Sequence, residues 1–167
     1  MKFSALFSTF CIDNNAKIQN SYDKMIYMKR ILHVEHSACT SQLCQIRDQV
    51  REACHSLSYN ENDINLITLV IDEACTNIIR YAYCGEPGRI VLEIFQHSDE
   101  AIFHLQDFAK CIDKSCLALR KKNLLEPGGL GLQLIYQVMD SVELLPPQGA
   151  TGNILELRKN LPKGSQE

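Results

Sequence analysis

The segment from Asn60 to Ala82 constrains the fold more than any other part of the sequence. Its apolar residues recur every three or four positions and cover a broad face of a helix, which comprises Ile64, Ile67, Val70, Ile71, Ala74, Ile78 and Ala82. Asn60 or Asn62 can cap the start of this helix, and Pro87-Gly88 marks a turn after its end. A face of this width is typical of a helix that packs on a sheet.

The rest of the chain supplies that sheet and two further helices. A helix capped by Thr40 or Ser41 is predicted through Leu57, another from Gly131 to Met139, and a short one around residues 114–120. Alternating apolar residues predict five strands, at residues 31–35, 89–96, 101–107, 141–145 and 153–159. The order does not alternate as in a doubly wound fold. It favours the α+β class, an α/β sandwich with the helices on one face of a hairpin-connected sheet.

The composition is that of an ordinary globular chain. Of 167 residues, 46% are hydrophobic and 22% are charged, with a formal net charge of −3. This length suffices for one compact domain. The charge balance and the short Lys/Arg runs argue against direct nucleic-acid binding. No apolar run approaches the length of a membrane-spanning helix, so we expect no membrane partner.

The eight cysteines do not form a disulfide or zinc pattern. Cys44, Cys54 and Cys75 fall on apolar helical stripes. We therefore expect free thiols in a reducing, cytoplasmic environment.

Two polar residues on the Asn60–Ala82 helix are candidates for chemistry. Glu73 and Asn77 are four positions apart, so both project from one face of the helix. An Asn carbonyl oxygen suits Mg²⁺, and a Glu beside it suits a base that deprotonates a nucleophile. On spacing alone, the alternative is a pair of polar residues on a solvated helix edge.

A glycine-rich turn lies about fifty residues further on and leads directly into the last helix. It comprises Gly128, Gly129, Leu130, Gly131 and Leu132. Glycines allow close backbone approach, and the free N–H groups of a helix start attract phosphate. The pattern is neither a Walker motif nor a dinucleotide-binding fingerprint, and an ordinary flexible helix entry is the alternative. Together with Glu73 and Asn77, the turn predicts a magnesium–nucleotide site.

Asp107 ends a predicted strand on the same face as Phe103 and Leu105. A carboxylate there suits recognition of an exocyclic amine such as that of adenine. A structural aspartate at a turn is the alternative.

Three segments carry a resemblance to a known family. Residues 73–83 look like the N-box of the histidine-kinase-type ATPases, in the version of bacterial anti-sigma factor serine kinases. Residues 107–113 are similar to the first glycine box, and residues 128–132, with Ile135 and Met139, resemble the second. In the family the first box reads Asp-x-Gly, whereas Ala109 stands at the glycine position here. A methyl group there is tolerated if the backbone φ stays negative.

The resemblance implies a histidine-kinase-type ATPase fold, with a mixed, mostly antiparallel sheet, over residues 28–162. Residues 1–27 are then a flexible or loosely docked extension, and 163–167 a tail. It implies ATP and Mg²⁺ as cofactors. Glu73 would be the catalytic base, Asn77 would bind Mg²⁺, and Asp107 would recognise adenine. The glycine-rich turn from Gly128 to Leu132 would surround the phosphates. The resemblance also implies a sigma factor and an anti-sigma factor antagonist as partners, contacted through Arg47 and Arg51, and a possible homodimer.

The function implied is a serine kinase that phosphorylates the antagonist and sequesters the sigma factor. One alternative is a binding module that sequesters a regulator without phosphorylating it, with nucleotide structural or absent. A detached ATPase domain of a sensor histidine kinase or a chaperone-like ATPase is a third alternative. The sequence shows no phosphoacceptor-histidine helix, which argues against the sensor kinase, and the short chain argues against the chaperone-like ATPase.

Overall fold

The elements follow the predicted order. The computed structural model describes residues 28–84, 86–109, 130–146 and 152–163. The helices are α1 (Leu43–Ser56), α2 (Glu61–Asn77) and α3 (Leu130–Val138). The strands are β1 (Lys29–Ser37), β2 (Arg89–His97), β3 (Glu100–Asp107), β4 (Ser141–Leu145) and β5 (Asn153–Asn160). The extension predicted for residues 1–27 and the helix predicted for residues 114–120 lie outside the described residues.

The five strands form one sheet in the order β1-β2-β3-β5-β4. All four pairings among these strands are antiparallel, so the described part of the sheet is not mixed. Ser98 and Asp99 form the tight turn between β2 and β3, and Ser98 takes the positive φ of 52° that such a turn needs. The antiparallel register places the ends of β3 and β5 side by side, which matters for the site below.

The three helices pack on one face of the sheet. Alternate residues of the central strands point to the helices and are almost fully buried with them; among them are Leu92, Ile94, Phe103, Leu105 and Leu157. The apolar face of α2 meets them through Ile64, Ile67, Val70, Ile71 and Ala74. Burial of this contiguous apolar surface is the main term that stabilises the fold. The predicted α+β class, with helices on one face, is confirmed.

Asn60 caps α2, and Asn62 does not. The Asn60 side chain accepts a hydrogen bond from Asp63 N at 3.0 Å, which stabilises the helix by about 1 kcal/mol. Glu61 and Asp63 add negative charge to the first turn, where the helix dipole favours it.

Two details of α1 differ from the expectations. Thr40 and Ser41 do not cap the helix, because Thr40–Gln42 form a 3₁₀ turn without a side-chain cap bond. Cys44 is exposed rather than part of the apolar stripe, whereas Cys54 and Cys75 are buried thiols as expected. Burial raises the pKa of both buried thiols to about 12, so neither is a thiolate at neutral pH.

The other face of the sheet carries a compact charged cluster. Glu156, nearly buried on β5, accepts hydrogen bonds from Arg158 Nε at 2.7 Å and contacts His104 Nε2 at 2.7 Å. Arg158 also binds Glu100 at 3.1 Å.

Within the described ranges, no helix is both long and apolar enough to cross a bilayer.

Candidate functional site

Glu73 and Asn77 lie together on the last turn of α2. Asn77 Nδ2 donates a hydrogen bond to Glu73 Oε1 at 3.3 Å. A carboxylate can only accept, so this bond uses the amide nitrogen and leaves the Asn77 carbonyl oxygen for another group. Both side chains are half-buried, and a ligand can reach them. The pair is therefore already held together in a form that offers oxygen atoms to a hard cation.

The first turn of α3 lies directly against Glu73. A Cβ atom at position 131 would overlap Oε1, Cδ and Cγ of Glu73. Gly131 thus allows this close approach, because a side chain at position 131 would require the Glu73 side chain to move. Leu130 begins the helix, and Leu132 packs against the core. Gly128 and Gly129 lie outside the described residues. The structure brings Glu73, Asn77 and the described end of the glycine-rich turn to the same place.

A π-helical turn follows Asn77 without interruption. It spans Ile78–Ala82, and Tyr83 N donates to Ile78 O at 3.1 Å across its five-residue ring. Such turns inside helices occur often at functional sites, where they redirect the chain. Here the turn carries the chain from Asn77 towards the end of β3.

Asp107, the residue predicted to recognise adenine, is buried at the end of β3. Its side chain is 4% exposed, and its Oδ1 accepts hydrogen bonds from Asn153 Nδ2 and Ala109 N, both at 2.9 Å. Burial raises the pKa of Asp107 above its ordinary value, and the two hydrogen bonds oppose that rise. Both of these bonds go to Oδ1.

The backbone at position 109 does not need the glycine that the first glycine box of the family has there. Ala109 does not belong to the non-glycine residues with positive φ, which in the described part of the chain are Ser58, Cys84 and Ser98. Instead, Gly152 takes the left-handed conformation, with φ of 106°, and donates from its N to Ala109 O at 3.0 Å. A Cβ at Gly152 would lie 2.5 Å from Asp107 O, so this glycine allows β5 to begin against the Asp107 turn.

The resemblance places Gly152, Asn153 and Ile154 where the family has a threonine-bearing stretch that would help hold adenine, but the contact of Asn153 and Gly152 with the Asp107 turn was not predicted. They are distant from Asp107 in sequence and reach it only through the β3–β5 register, which pairs Asp107 with Asn153. A glycine directly before a strand that begins with asparagine was the available signal.

Arg47 and Arg51 both bind residues of α2. Arg47 Nε lies 3.0 Å from Asp72 Oδ1 and donates to Leu43 O at 3.2 Å. Arg51 donates to Asn65 Oδ1 at 2.6 Å and to Glu61 Oε2 at 2.9 Å. The two arginines therefore connect α1 to α2, with Arg47 beside the residue that precedes Glu73. Their role towards partners stays a prediction.

The oxygen atoms of Asn77 and Glu73 suit Mg²⁺, which also binds waters and phosphate oxygens, better than they suit a metal ion that needs all its ligands from the protein. Among the described residues, no three His, Cys, Asp or Glu side chains converge on a metal position. Mg²⁺ keeps several waters and commonly binds one or two protein oxygens plus phosphate oxygens. The Asn77 carbonyl oxygen beside Glu73 provides that kind of contact.

Comparison with known proteins places this arrangement in a family. The profile of the histidine kinase-like ATPase domain matches residues 36–159, most of the chain. The crystal structure of the SiaB–SiaC complex from Pseudomonas aeruginosa contains a similar fold, with a TM-score of 0.53 and 17% identity, covering 90% of this chain and 98% of that chain. At this identity the likeness shows the fold alone. The domain match and the fold together define the protein class as the histidine kinase-like ATPases.

Two curated relatives show which group of histidine kinase-like ATPases this chain resembles. Serine-protein kinase RsbW of Bacillus cereus (strain G9842) is 27% identical over 114 residues, which cover 64% of this chain and 71% of the relative. Serine-protein kinase RsbW of Halalkalibacterium halodurans is 30% identical over 112 residues, which cover 62% and 68%. The chain belongs to the histidine kinase-like ATPase family, in the group of the anti-sigma factor serine kinases, and the predicted resemblance is confirmed.

Proposed function

We propose that this protein binds Mg-ATP and transfers the terminal phosphate to a serine of a small antagonist protein. We also propose that it binds a sigma factor and holds it inactive until the antagonist intervenes. The observation that carries the first proposal is the packing of Glu73 against Gly131, because it joins the acid–amide pair to the start of α3. A base, a magnesium ligand and a phosphate-binding turn then belong to one site.

Each described residue has a separate task in this proposal. Glu73 accepts the proton of the serine hydroxyl as that oxygen attacks the γ-phosphorus of ATP, and ADP leaves as the bond from this phosphorus to the bridging oxygen breaks. The Asn77 carbonyl oxygen holds Mg²⁺, and its amide keeps Glu73 oriented through the 3.3 Å bond. Asp107 Oδ2 accepts a hydrogen bond from the adenine amine. When bound, Mg²⁺ neutralises charge on the phosphates. The residues mainly fix the positions of the reactants, which is the larger part of catalysis in phosphoryl transfer.

Support for the partners comes from the relatives. The curated relatives are named serine-protein kinases, and the similar solved structure is that of a complex of two proteins. Arg47 and Arg51 lie on α1 with half-exposed or partly exposed side chains, so a partner can reach them. We propose that they contact the sigma factor or the antagonist, and that the protein acts as a homodimer.

A second candidate function is a binding module that sequesters a regulator without phosphorylating it. Ala109 is the observation in its favour, because its methyl group stands beside the Asp107 turn where the family has glycine. In that case the nucleotide stabilises the fold or is absent.

A phosphotransfer assay separates the two candidates. The purified protein is incubated with γ-labelled ATP, Mg²⁺ and its cognate antagonist, alongside Glu73→Gln and the matched control Glu143→Gln, which changes an exposed glutamate on β4. We expect phosphoserine on the antagonist with the wild type and the control. We expect none with Glu73→Gln, although that variant still binds ATP. Antagonist or sigma-factor binding without transfer by the wild type would favour the binding module. Transfer by Glu73→Gln at the wild-type rate would contradict the role of Glu73.

A further inference from the structure

We infer that Tyr83 is a positioning residue for base recognition, which fixes the Asp107 turn to the end of the helix that carries Asn77. This inference rests on the proposed nucleotide site and adds to it. Tyr83 follows the π-helical turn, six residues after Asn77 in sequence. Its side chain is half-buried and packs against the core, yet its hydroxyl reaches the loop after β3.

The Tyr83 hydroxyl makes three hydrogen bonds to backbone atoms. It accepts one from Phe108 N at 2.8 Å and one from Arg89 N at 3.3 Å, and it donates one to Arg89 O at 2.8 Å. One donor and two acceptor positions are the full capacity of a hydroxyl group. The oxygen therefore holds the residue after Asp107 and the first residue of β2 at the same time.

Neighbouring groups hold the Tyr83 ring and the Phe108 side chain in place. A Cβ at Gly88 would overlap the Tyr83 ring, so this glycine leaves the space that the ring occupies. The Arg89 guanidinium lies 3.8 Å from the centroid of the Phe108 ring and pairs with Glu35 at 3.1 Å. A cation over an aromatic face is attractive, so Phe108 is held on its side chain as well as on its backbone.

The position of the Asp107 carboxylate depends on this turn. Ala109 N donates to Asp107 Oδ1, and Phe108 lies between these two residues in the chain. When Phe108 N loses its partner, the turn gains freedom, and Oδ2 is no longer held where the base amine meets it. A hydrogen bond weakens when its donor and acceptor move apart by a fraction of an ångström, so the bond to the base amine depends on the position of Oδ2. Phosphate binding, which relies on α2 and α3, does not depend on the Phe108 amide.

The substitution Tyr83→Phe removes only the hydroxyl oxygen and keeps the ring that fills the space above Gly88. Tyr81→Phe is the matched control, because Tyr81 lies on the same π-helical turn and its side chain is half-exposed. Binding to both variants and to the wild type is measured by calorimetry with three probes in the presence of Mg²⁺: ATP, ITP and inorganic tripolyphosphate. ITP carries a carbonyl oxygen where ATP carries the exocyclic amine.

We expect Tyr83→Phe to bind ATP about tenfold more weakly, as for one lost hydrogen-bonded contact. Its affinities for ITP and tripolyphosphate should stay within about twofold of the wild type, so that the preference for ATP over ITP shrinks. Tyr81→Phe should keep the wild-type preference. An unchanged ATP:ITP ratio in Tyr83→Phe would overturn the inference. A parallel loss with all three probes, together with a lower melting temperature, would overturn it too, because it would show a structural role alone. If the wild type itself binds no ATP, the proposed function fails first, and with it this inference.

Discussion

Gly131 and Glu73 are in such close contact that no other residue type fits at position 131 while Glu73 keeps its side-chain conformation. The glycine lies in the first turn of α3, and the glutamate in the last full turn of α2. Glycine at this position allows the start of α3 to approach α2 while Glu73 keeps its side-chain conformation. The same contact fixes the direction of the Glu73 carboxylate, which is the group proposed to take the proton.

Gly131→Ala is predicted to destabilise the protein and to weaken phosphotransfer. Alanine favours a helix over glycine by about 1 kcal/mol, whereas overpacking costs about 1–3 kcal/mol. The overlap involves three atoms of Glu73, so we expect overpacking to dominate and the free energy of unfolding to fall by about 1–2 kcal/mol. Urea denaturation and the phosphotransfer rate measure the two effects.

Gln137→Ala is the control for this prediction, since Gln137 is exposed on the same helix. It should leave the transfer rate unchanged. If Gly131→Ala is more stable than the wild type, as the higher helix propensity of alanine alone would give, the Glu73 side chain can move away from position 131 without destabilising the protein. That result would contradict the prediction.

Ala109→Gly is predicted to leave ATP affinity within about twofold of the wild type. Ala109 has no positive φ, so glycine relieves no strain there, and its backbone bonds to Asp107 and Gly152 remain. Glycine instead raises the entropy of the unfolded chain, which lowers stability by about 0.5–1 kcal/mol. Calorimetry and thermal unfolding test the two statements. A large increase in affinity would show that the Ala109 methyl group obstructs the nucleotide, as the binding-module reading requires.

Asn153→Ala is predicted to destabilise the protein more at neutral pH than in acid. The pKa of Asp107 is already raised by burial, and Asn153 opposes that rise by donating to the charged form. A raised folded-state pKa means that stability falls as pH rises from the ordinary to the raised value. Losing Asn153 raises the pKa further, so the loss grows with pH. We expect about 1–3 kcal/mol near pH 7 and less near pH 4.

Denaturant unfolding at both pH values measures this difference, with Asn160→Ala at the other end of β5 as the control. The control should show the same small effect at each pH. An Asn153→Ala effect that does not depend on pH would mean that Asn153 contributes packing only and does not support the charge of Asp107.

Glu156→Gln is predicted to flatten the acid limb of the stability profile. The His104 hydrogen bond and Arg158 lower the pKa of Glu156 from its ordinary 4.5 to about 2, against the effect of burial. This depressed pKa contributes stability that is present above about pH 4.5 and is lost as pH falls through about 2. Gln lacks that contribution, so its stability changes less over this range.

At neutral pH the same variant should be less stable than the wild type. Removing one partner of a fully buried ion pair costs about 3–5 kcal/mol, and the loss here should be smaller because solvent reaches the partners. The side chains of His104 and Arg158 are 20% and 19% exposed. Parallel pH profiles for wild type and Glu156→Gln would contradict the assigned pKa. Glu52→Gln, which changes an exposed glutamate on α1, serves as the control.

Local patterns predicted the elements well, because their signals lie within a few residues. The apolar period of α2, the alternation in β3 and the i, i+4 spacing of Glu73 and Asn77 are all visible in the sequence. The bond between Glu73 and Asn77 follows directly from that spacing on a helix.

Contacts set by long-range register were not predictable in the same way. Asn153 meets Asp107 because β5 pairs with β3 in one register, and Tyr83 meets Phe108 because the π-helical turn redirects the chain. The close approach of Gly131 to Glu73 depends on how two helices pack, which no local period specifies. The prediction that Thr40 or Ser41 caps α1 was wrong for a local reason, because both residues form part of a 3₁₀ turn.

Calorimetry of ATP binding tests most directly whether α2 and α3 together form one magnesium–nucleotide site, as we propose. Titrations of wild type, Asn77→Ala and Glu73→Gln are compared with and without Mg²⁺. We predict binding that requires Mg²⁺ for the wild type and for Glu73→Gln, and at least about tenfold weaker binding for Asn77→Ala. Equal binding by wild type and Asn77→Ala, or no ATP binding by the folded wild type, would contradict the account.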